Sequence, residues 1–233
     1  MNTDKTLRCA ALAVAALLAA LPATAQVPPS AAEAAAYSGL HGAAQRGDLA
    51  AVARLAAMPA AREARDAQGR SAVHVATFAR QHEVLRRLAS AGAALGALEN
   101  DRYDAVTIAS VADDEQTLRL LLQLGASAKL VTSRYDGTAL IAAAHLGHVD
   151  IVRTLIRARA PLDHVNNLGW TAVIEAIVLG DGGPRHTETL RALVEAGADV
   201  NLADRNGQSP LTLATARGYG TMIGLLRRAG AKP

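Results

Sequence analysis

The amino-acid sequence predicts an all-α solenoid of stacked helix-turn-helix units, and three observations carry that expectation. A pattern of cap, short Ala-rich helix, turn and Leu-rich helix recurs, with starts 33, 33, 34, 33 and 38 residues apart. Of the 233 residues, 51% are hydrophobic, enough for a continuous core and too many for a disordered chain. Only 3% are aromatic, so that core is built from Ala, Val, Leu and Ile. Small, closely packed helices suit such a core better than a sandwich or barrel does.

The first element stands apart from the rest. Lys5 and Arg8 precede an apolar run over residues 9–21, Pro22 breaks it, and Ala23-Thr24-Ala25 has the small-x-small form of a signal-peptidase site. Residues 1–25 are therefore expected to be a signal peptide cleaved after Ala25, delivering a chain that starts at Gln26 to the periplasm. The apolar run is shorter than the roughly 20 residues a bilayer span needs, so no membrane span is expected after cleavage. Cys9 is the single cysteine and lacks a preceding lipobox. Its removal leaves no thiol for a disulfide, a metal or a nucleophile. Residues 26–32, with Pro28-Pro29, read as a flexible lead-in to an array over 33–233.

The array divides into units 33–65, 66–98, 99–132, 133–165, 166–203 and 204–233. Ser38, Ser71, Asp104, Thr138, Thr171 and Ser209 open them, each with a side-chain oxygen that can cap a helix. Pro210 suits a first helical turn, which needs no N–H. A short helix with small residues follows, as in Ala142-Ala143-Ala144, and Gly147-His148 or Gly218-Tyr219 turns the chain. The second helix carries apolar residues at helical spacing: Val84, Leu85 and Leu88, or Ile151, Val152, Leu155 and Ile156. Gly92, Gly125, Gly197 and Gly230 close it with a left-handed cap. Arg159-Ala160 stands in that place in the fourth unit and Pro59-Ala60 in the first. Asp66-Ala67-Gln68-Gly69 and Asp204-Arg205-Asn206-Gly207 supply turns between units. The third unit has Asp113-Asp114 instead of Gly-His, so looser packing is expected there. The fifth has five extra residues near 181–185, read as an exposed loop. Arg227 on the last apolar stripe marks an outer face, as the end of a solenoid requires.

Together these residues resemble the ankyrin repeat, whose pattern runs Gly-x-Thr-Pro-Leu-His-x-Ala-Ala, then Gly-His, Leu-Leu and Gly-Ala-Asp. The resemblance spans about residues 33–232, although no single unit matches fully. It implies a stack that binds protein partners through its finger loops and concave face. It also implies that His41 and His74 tie down neighbouring backbone and that His148 belongs to a structural turn.

Several function classes lose support. The net charge is only +3, and Lys129 and Lys232 are the only lysines besides Lys5, so no clustered positive footprint for nucleic acid exists. His145-x-x-His148 has no acidic third ligand, and Asp113-Asp114-Glu115 suits an exposed helix start, so no metal is expected. No Ser elbow, phosphate loop or metal-binding helix appears. The chain is accordingly not expected to be an enzyme or to hold a cofactor. The aromatics say more. Tyr37, Tyr103 and Trp170 each fall immediately before a capping residue, where Arg70 stands in the second unit. On the resemblance this place faces the concave surface, with Tyr135 on a finger and Phe78 at the end of a first helix. With Arg134, His145, Leu179 and Arg205 they form the expected partner-binding set, since aromatic and Arg side chains anchor interfaces. The competing reading is finger-to-finger packing. The function expected is a monomeric periplasmic module holding an unidentified folded protein. Within that reading, the chain inhibits or confers immunity to a secreted toxin or enzyme, or supports a periplasmic enzyme. The alternative from another class is a hydrolase or metal enzyme on a repeat scaffold.

Overall fold

Caps and turns divide residues 26–233, the part of the chain that the computed structural model describes, into six helix pairs. The signal peptide expected at residues 1–25 lies outside the described residues. The inner helices are Gly39–Arg46, Ala72–Phe78, Ala105–Val111, Ala139–Leu146, Ala172–Val178 and Pro210–Arg217. The outer helices are Leu49–Ala56, His82–Ser90, Glu115–Gln123, Val149–Arg157, Pro184–Glu195 and Gly220–Arg228. Among the described residues there is no strand beyond an isolated bridge between Thr132 and Gly137, and no helix is long and apolar enough to cross a membrane.

Four of the six expected caps close their helices through the side chain; Ser38 makes no such bond, and the Ser71 hydroxyl meets His74 Nδ1 instead. Asp104 accepts from the Thr107 backbone N–H at 2.8 Å, Thr138 and Thr171 from Ile141 and Ile174 at 3.3 Å, and Ser209 from Thr212 at 3.2 Å. Five residues after every capping position comes alanine: Ala43, Ala76, Ala109, Ala143, Ala176 and Ala214, all buried. A small side chain at that register lets consecutive inner helices pack closely. Leu85, Leu88, Leu118, Leu121, Ile151, Leu155 and Leu190 on the outer helices are fully buried against them.

The turn inside each unit needs a left-handed residue, and glycine is the usual solution. Gly47, Gly147 and Gly218 supply it, but Arg80 and Asp113 adopt the same conformation at φ 54° and 53°. The third unit thus keeps its turn geometry without Gly-His. Asp114 caps the next helix through Thr117, and Leu118 and Leu121 are buried as in the other units. The outer helix Glu115–Gln123 nevertheless meets the outer helices on either side less extensively than the other outer helices meet theirs, in line with the looser packing expected there.

Two expectations change. Residues 26–32, read as a flexible lead-in, run into a helix over Ala31–Ala36. Ser30 and Glu33 form its capping box, with bonds of 3.2 and 2.8 Å. The extra residues of the fifth unit do not all form a loop. Pro184 opens an outer helix of 12 residues where the three preceding units have 9. The remaining 179–183 segment is tied down, with His186 bonding both Asp181 (2.9 Å) and the His145 carbonyl (2.9 Å).

The fingers repeat one construction. The N–H of Asp66, Glu99, Thr132, Asn166 and Asp204 donates to the carbonyl of Arg70, Tyr103, Gly137, Trp170 and Gln208, respectively. Adjacent fingers are stitched by backbone bonds from Asn100 to Gln68, Ser133 to Arg102 and Asn167 to Tyr135, at 2.8 to 3.0 Å. Inner helices reach the fingers through histidine: His41 Nε2 donates to the Arg70 carbonyl at 2.8 Å and His74 Nε2 to that of Tyr103 at 3.1 Å. The resemblance implied this role for both. At the turn, His148 Nδ1 donates to the Ser110 carbonyl at 3.0 Å.

Candidate partner-binding groove

The expected binding set lies on the fingers and at the ends of the inner helices. Arg70, Phe78, Tyr103 and Arg134 come together around a pocket of about 250 Å³, which Gln68, Asn100, Asp101 and Ile108 also line. Tyr103 is only 9% exposed, so its ring is mostly committed to packing. Arg134 stands out from its finger and pairs with Asp101 on the neighbouring one. Arg102 pairs with Asp136 in the same way at 2.8 Å. These pairs join the fingers that begin at Glu99 and Thr132, although each is exposed and contributes little alone.

At the first end, the expected binding residues are engaged within the chain. Arg70, expected as a rim residue, is 2% exposed. Its guanidinium donates to Asp66 (2.6 Å), Glu33 (2.8 Å), Gln68 (2.9 Å) and the Val27 carbonyl (3.4 Å). The physical reason is the N-terminal segment. Residues 26–33 lie over Arg70 and place Gln26 and Val27 in the pocket. Tyr37 belongs to the same network. Its hydroxyl donates to Asp66 at 2.6 Å, and burial followed by that bond to a carboxylate pushes its pKa well up. Burial pulls the Asp66 pKa upward, but the bonds from Tyr37 and Arg70 outweigh it and hold the carboxyl low. As placed here, Arg70 is not available to a partner, and Tyr37 is only partly so.

Farther along, more of the set is exposed. Tyr135 is 54% exposed and Leu179 is exposed at the end of its inner helix. Arg205 is exposed on the finger that begins at Asp204, its stem lying where a side chain on Gly169 would clash at 2.4 Å. Trp170 is half-buried and packed on the core. His145 lies beside a residue that was missed in the sequence, Glu175, with Nδ1 3.7 Å from its Oε2. The signal for Glu175 was present: four residues after the capping position the other units hold Gly42, Val75, Ile108, Ala142 and Leu213. Glu175 is buried, and that burial raises its pKa to about 7, opposed by one bond from Asn166. The pKa of His145 is lowered, first by burial and then by the nearby His186 and His148.

Known proteins share this architecture. The family model "Ankyrin repeats (3 copies)" matches residues 40–132 and 108–204, and "Ankyrin repeats (many copies)" matches 184–227. The ankyrin repeat protein YahD of Escherichia coli (strain K12) is 39% identical over 100 residues, 42% of this chain and 50% of that protein. An ankyrin repeat-containing protein of Treponema pallidum (strain Nichols) is 34% identical over 109 residues, 46% of this chain and 34% of that protein. The chain thus spans half or less of the length of these curated relatives. The crystal structure of an ankyrin repeat domain from Acinetobacter baumannii AYE superposes with a TM-score of 0.77 at 42% identity, covering 83% of this chain and 98% of that one. That of the ankyrin repeat protein EF0377 gives 0.74 at 27% identity, covering 82% and 98%.

Proposed function

The chain belongs to the ankyrin repeat family, and from that premise we propose that it is an exported periplasmic module holding a folded protein partner along its fingers and inner-helix ends. Ankyrin repeats generally mediate protein–protein interaction, and the fold is generally a scaffold rather than a catalyst. One observation carries the reading for this chain. Arg134, Tyr135 and Arg205 stand exposed on fingers and Leu179 stands exposed at the end of an inner helix, places that the buried core of the stack does not use. An exposed Tyr accompanied by exposed Arg and Leu side chains has the composition that anchors interfaces. The periplasmic location rests on the basic start, apolar run and Ala23-Thr24-Ala25 site of residues 1–25.

Capture from a periplasmic extract, with residues 26–233 as bait, tests the reading. The parent should retain a partner in a defined ratio. Tyr135→Ala should weaken that complex by about 2 kcal/mol or more without lowering the melting temperature, as truncation of an interface anchor does. A Tyr135→Ala variant that binds like the parent, together with a Trp170→Ala variant that does the same while folded, would remove these places from the interface. Intact mass of the exported protein should correspond to a chain starting at Gln26, or at its cyclised form. An uncleaved species in the membrane fraction would overturn the location.

A further inference from the structure

The fold gives Glu175 a position it uses elsewhere for apolar side chains, and does so without completing the carboxyl group's bonds. Its side chain is 5% exposed. Asn166 Nδ2 donates to Oε1 at 2.9 Å, while Oε2 is buried with no hydrogen-bond partner. Removing one oxygen of a carboxylate from water without a donor is costly, and the stack has no need of it, because Val75, Ile108 and Leu213 fill the same register with hydrocarbon. The group beside Oε2 is His145, one-third exposed on the groove side. It is held toward its neutral form, so it does not bring a balancing charge. Among the described residues no third His, Cys, Asp or Glu joins the pair, so the arrangement does not make a metal site.

We propose that Glu175 is the receiving point for a basic side chain, Arg or Lys, that a protein partner inserts beside His145, between the inner helices Ala139–Leu146 and Ala172–Val178. The proposal deepens the groove reading above and rests on it. Rotation of the partly exposed His145 imidazole opens Oε2, and an incoming guanidinium or ammonium supplies both the missing donor and the missing charge. Charge-assisted bonds of this kind are about twice as strong as neutral ones. Trp170 stands close by. Asn166, which donates to Glu175, also accepts from the Trp170 backbone N–H at 2.9 Å, so one side chain links the carboxyl to the finger that carries Trp170.

Trp170 is the only tryptophan, which makes its fluorescence a local reporter. Titration of residues 26–233 with a tri-arginine peptide at pH 8 and low salt should change that fluorescence saturably, and a tri-glutamate peptide should not. Glu175→Gln keeps an acceptor for Asn166 and removes the charge. It should weaken tri-arginine binding about ten-fold, the factor lost with one charge-assisted hydrogen bond. Glu175→Leu, which copies Leu213, should do the same, and both variants should melt at or above the parent temperature. Absence of a saturable response in the parent, or equal binding by the folded Glu175→Gln variant, overturns the proposal. The two readings separate in the capture experiment. Loss of the partner with Tyr135→Ala but not with Glu175→Gln leaves the groove standing and removes the basic side chain. Retention with both removes the two together.

Discussion

At the scale of single residues, two buried groups give the fold opposite responses to acid. His74 is neutral in the stack, its Nδ1 accepting from the Ser71 N–H at 3.0 Å while Nε2 donates to Tyr103. Burial brings its pKa down to about 4 from an ordinary 6.5. Its contribution is therefore complete above pH 6.5 and is lost as pH falls toward 4, because the unfolded chain takes the proton first. Glu175 has its pKa raised from 4.5 to about 7. Its stabilising share is complete below pH 4.5 and is lost as pH rises through 7, because the folded chain keeps the proton longer. Between pH 7 and 5 the two terms are each roughly 2 kcal/mol and opposed. Melts of the parent should therefore change little over that window, whereas Glu175→Gln should lose about 2 kcal/mol on acidification and exceed the parent at pH 8. A parent and variant with parallel pH profiles would mean that Glu175 titrates normally. Glu175 was legible in the sequence once the units were aligned, as the one acid in an apolar column. The burial of Arg70 was not, because it depends on Val27 and Glu33, distant in sequence and brought over it only by the fold.

At the scale of elements, local chemistry decided what could be read. Caps at Asp104, Thr138, Thr171 and Ser209 and the left-handed glycines lie within a few residues of the helices they bound, so they were visible directly. The third turn was hidden because Asp113 reaches a positive φ without glycine, which Asp does more readily than most residues. The 12-residue outer helix of the fifth unit was hidden because Gly182-Gly183-Pro184 signals a loop as well as a helix start. The fourth unit supplies a test of the closing position. Gly92, Gly125, Gly197 and Gly230 end their helices at φ between 80° and 95°, and Arg159 fills that place at φ 59°. A side chain in the left-handed region costs about 1–2 kcal/mol, which the flexibility of glycine in the unfolded chain offsets only in part. Arg159→Gly should therefore stabilise the protein by about 0.5–1 kcal/mol in urea denaturation. A loss of stability would show that the Arg159 side chain makes contacts worth more than the strain.

At the scale of the whole molecule, each helix pair packs on its sequence neighbours, so stability is a sum of unit terms and nearest-neighbour interfaces. Damage at an end and damage in the middle should then look different. Arg70→Ala leaves Glu33 and Asp66 without their buried cation, and breaking such a pair costs about 3–5 kcal/mol. Its effect should appear as faster hydrogen exchange in the helices up to Ala56, with the helices from the third unit onward unchanged. Leu121 lies at the other extreme. It is fully buried on the outer helix Glu115–Gln123, in a unit with neighbours on both sides. Truncation to alanine leaves a cavity and should cost about 2–5 kcal/mol. A weak third unit uncouples the array, because the units before and after it communicate only through its interfaces. Leu121→Ala should therefore broaden the denaturant transition and lower its slope, with exchange fastest in residues 105–123 and slower toward both flanks. A single sharp transition at reduced midpoint, with uniform exchange, would mean that the six pairs unfold as one unit and that coupling between neighbours exceeds the loss at Leu121. Unchanged stability would be the stronger contradiction, since it would place Leu121 outside the core that joins the outer helices.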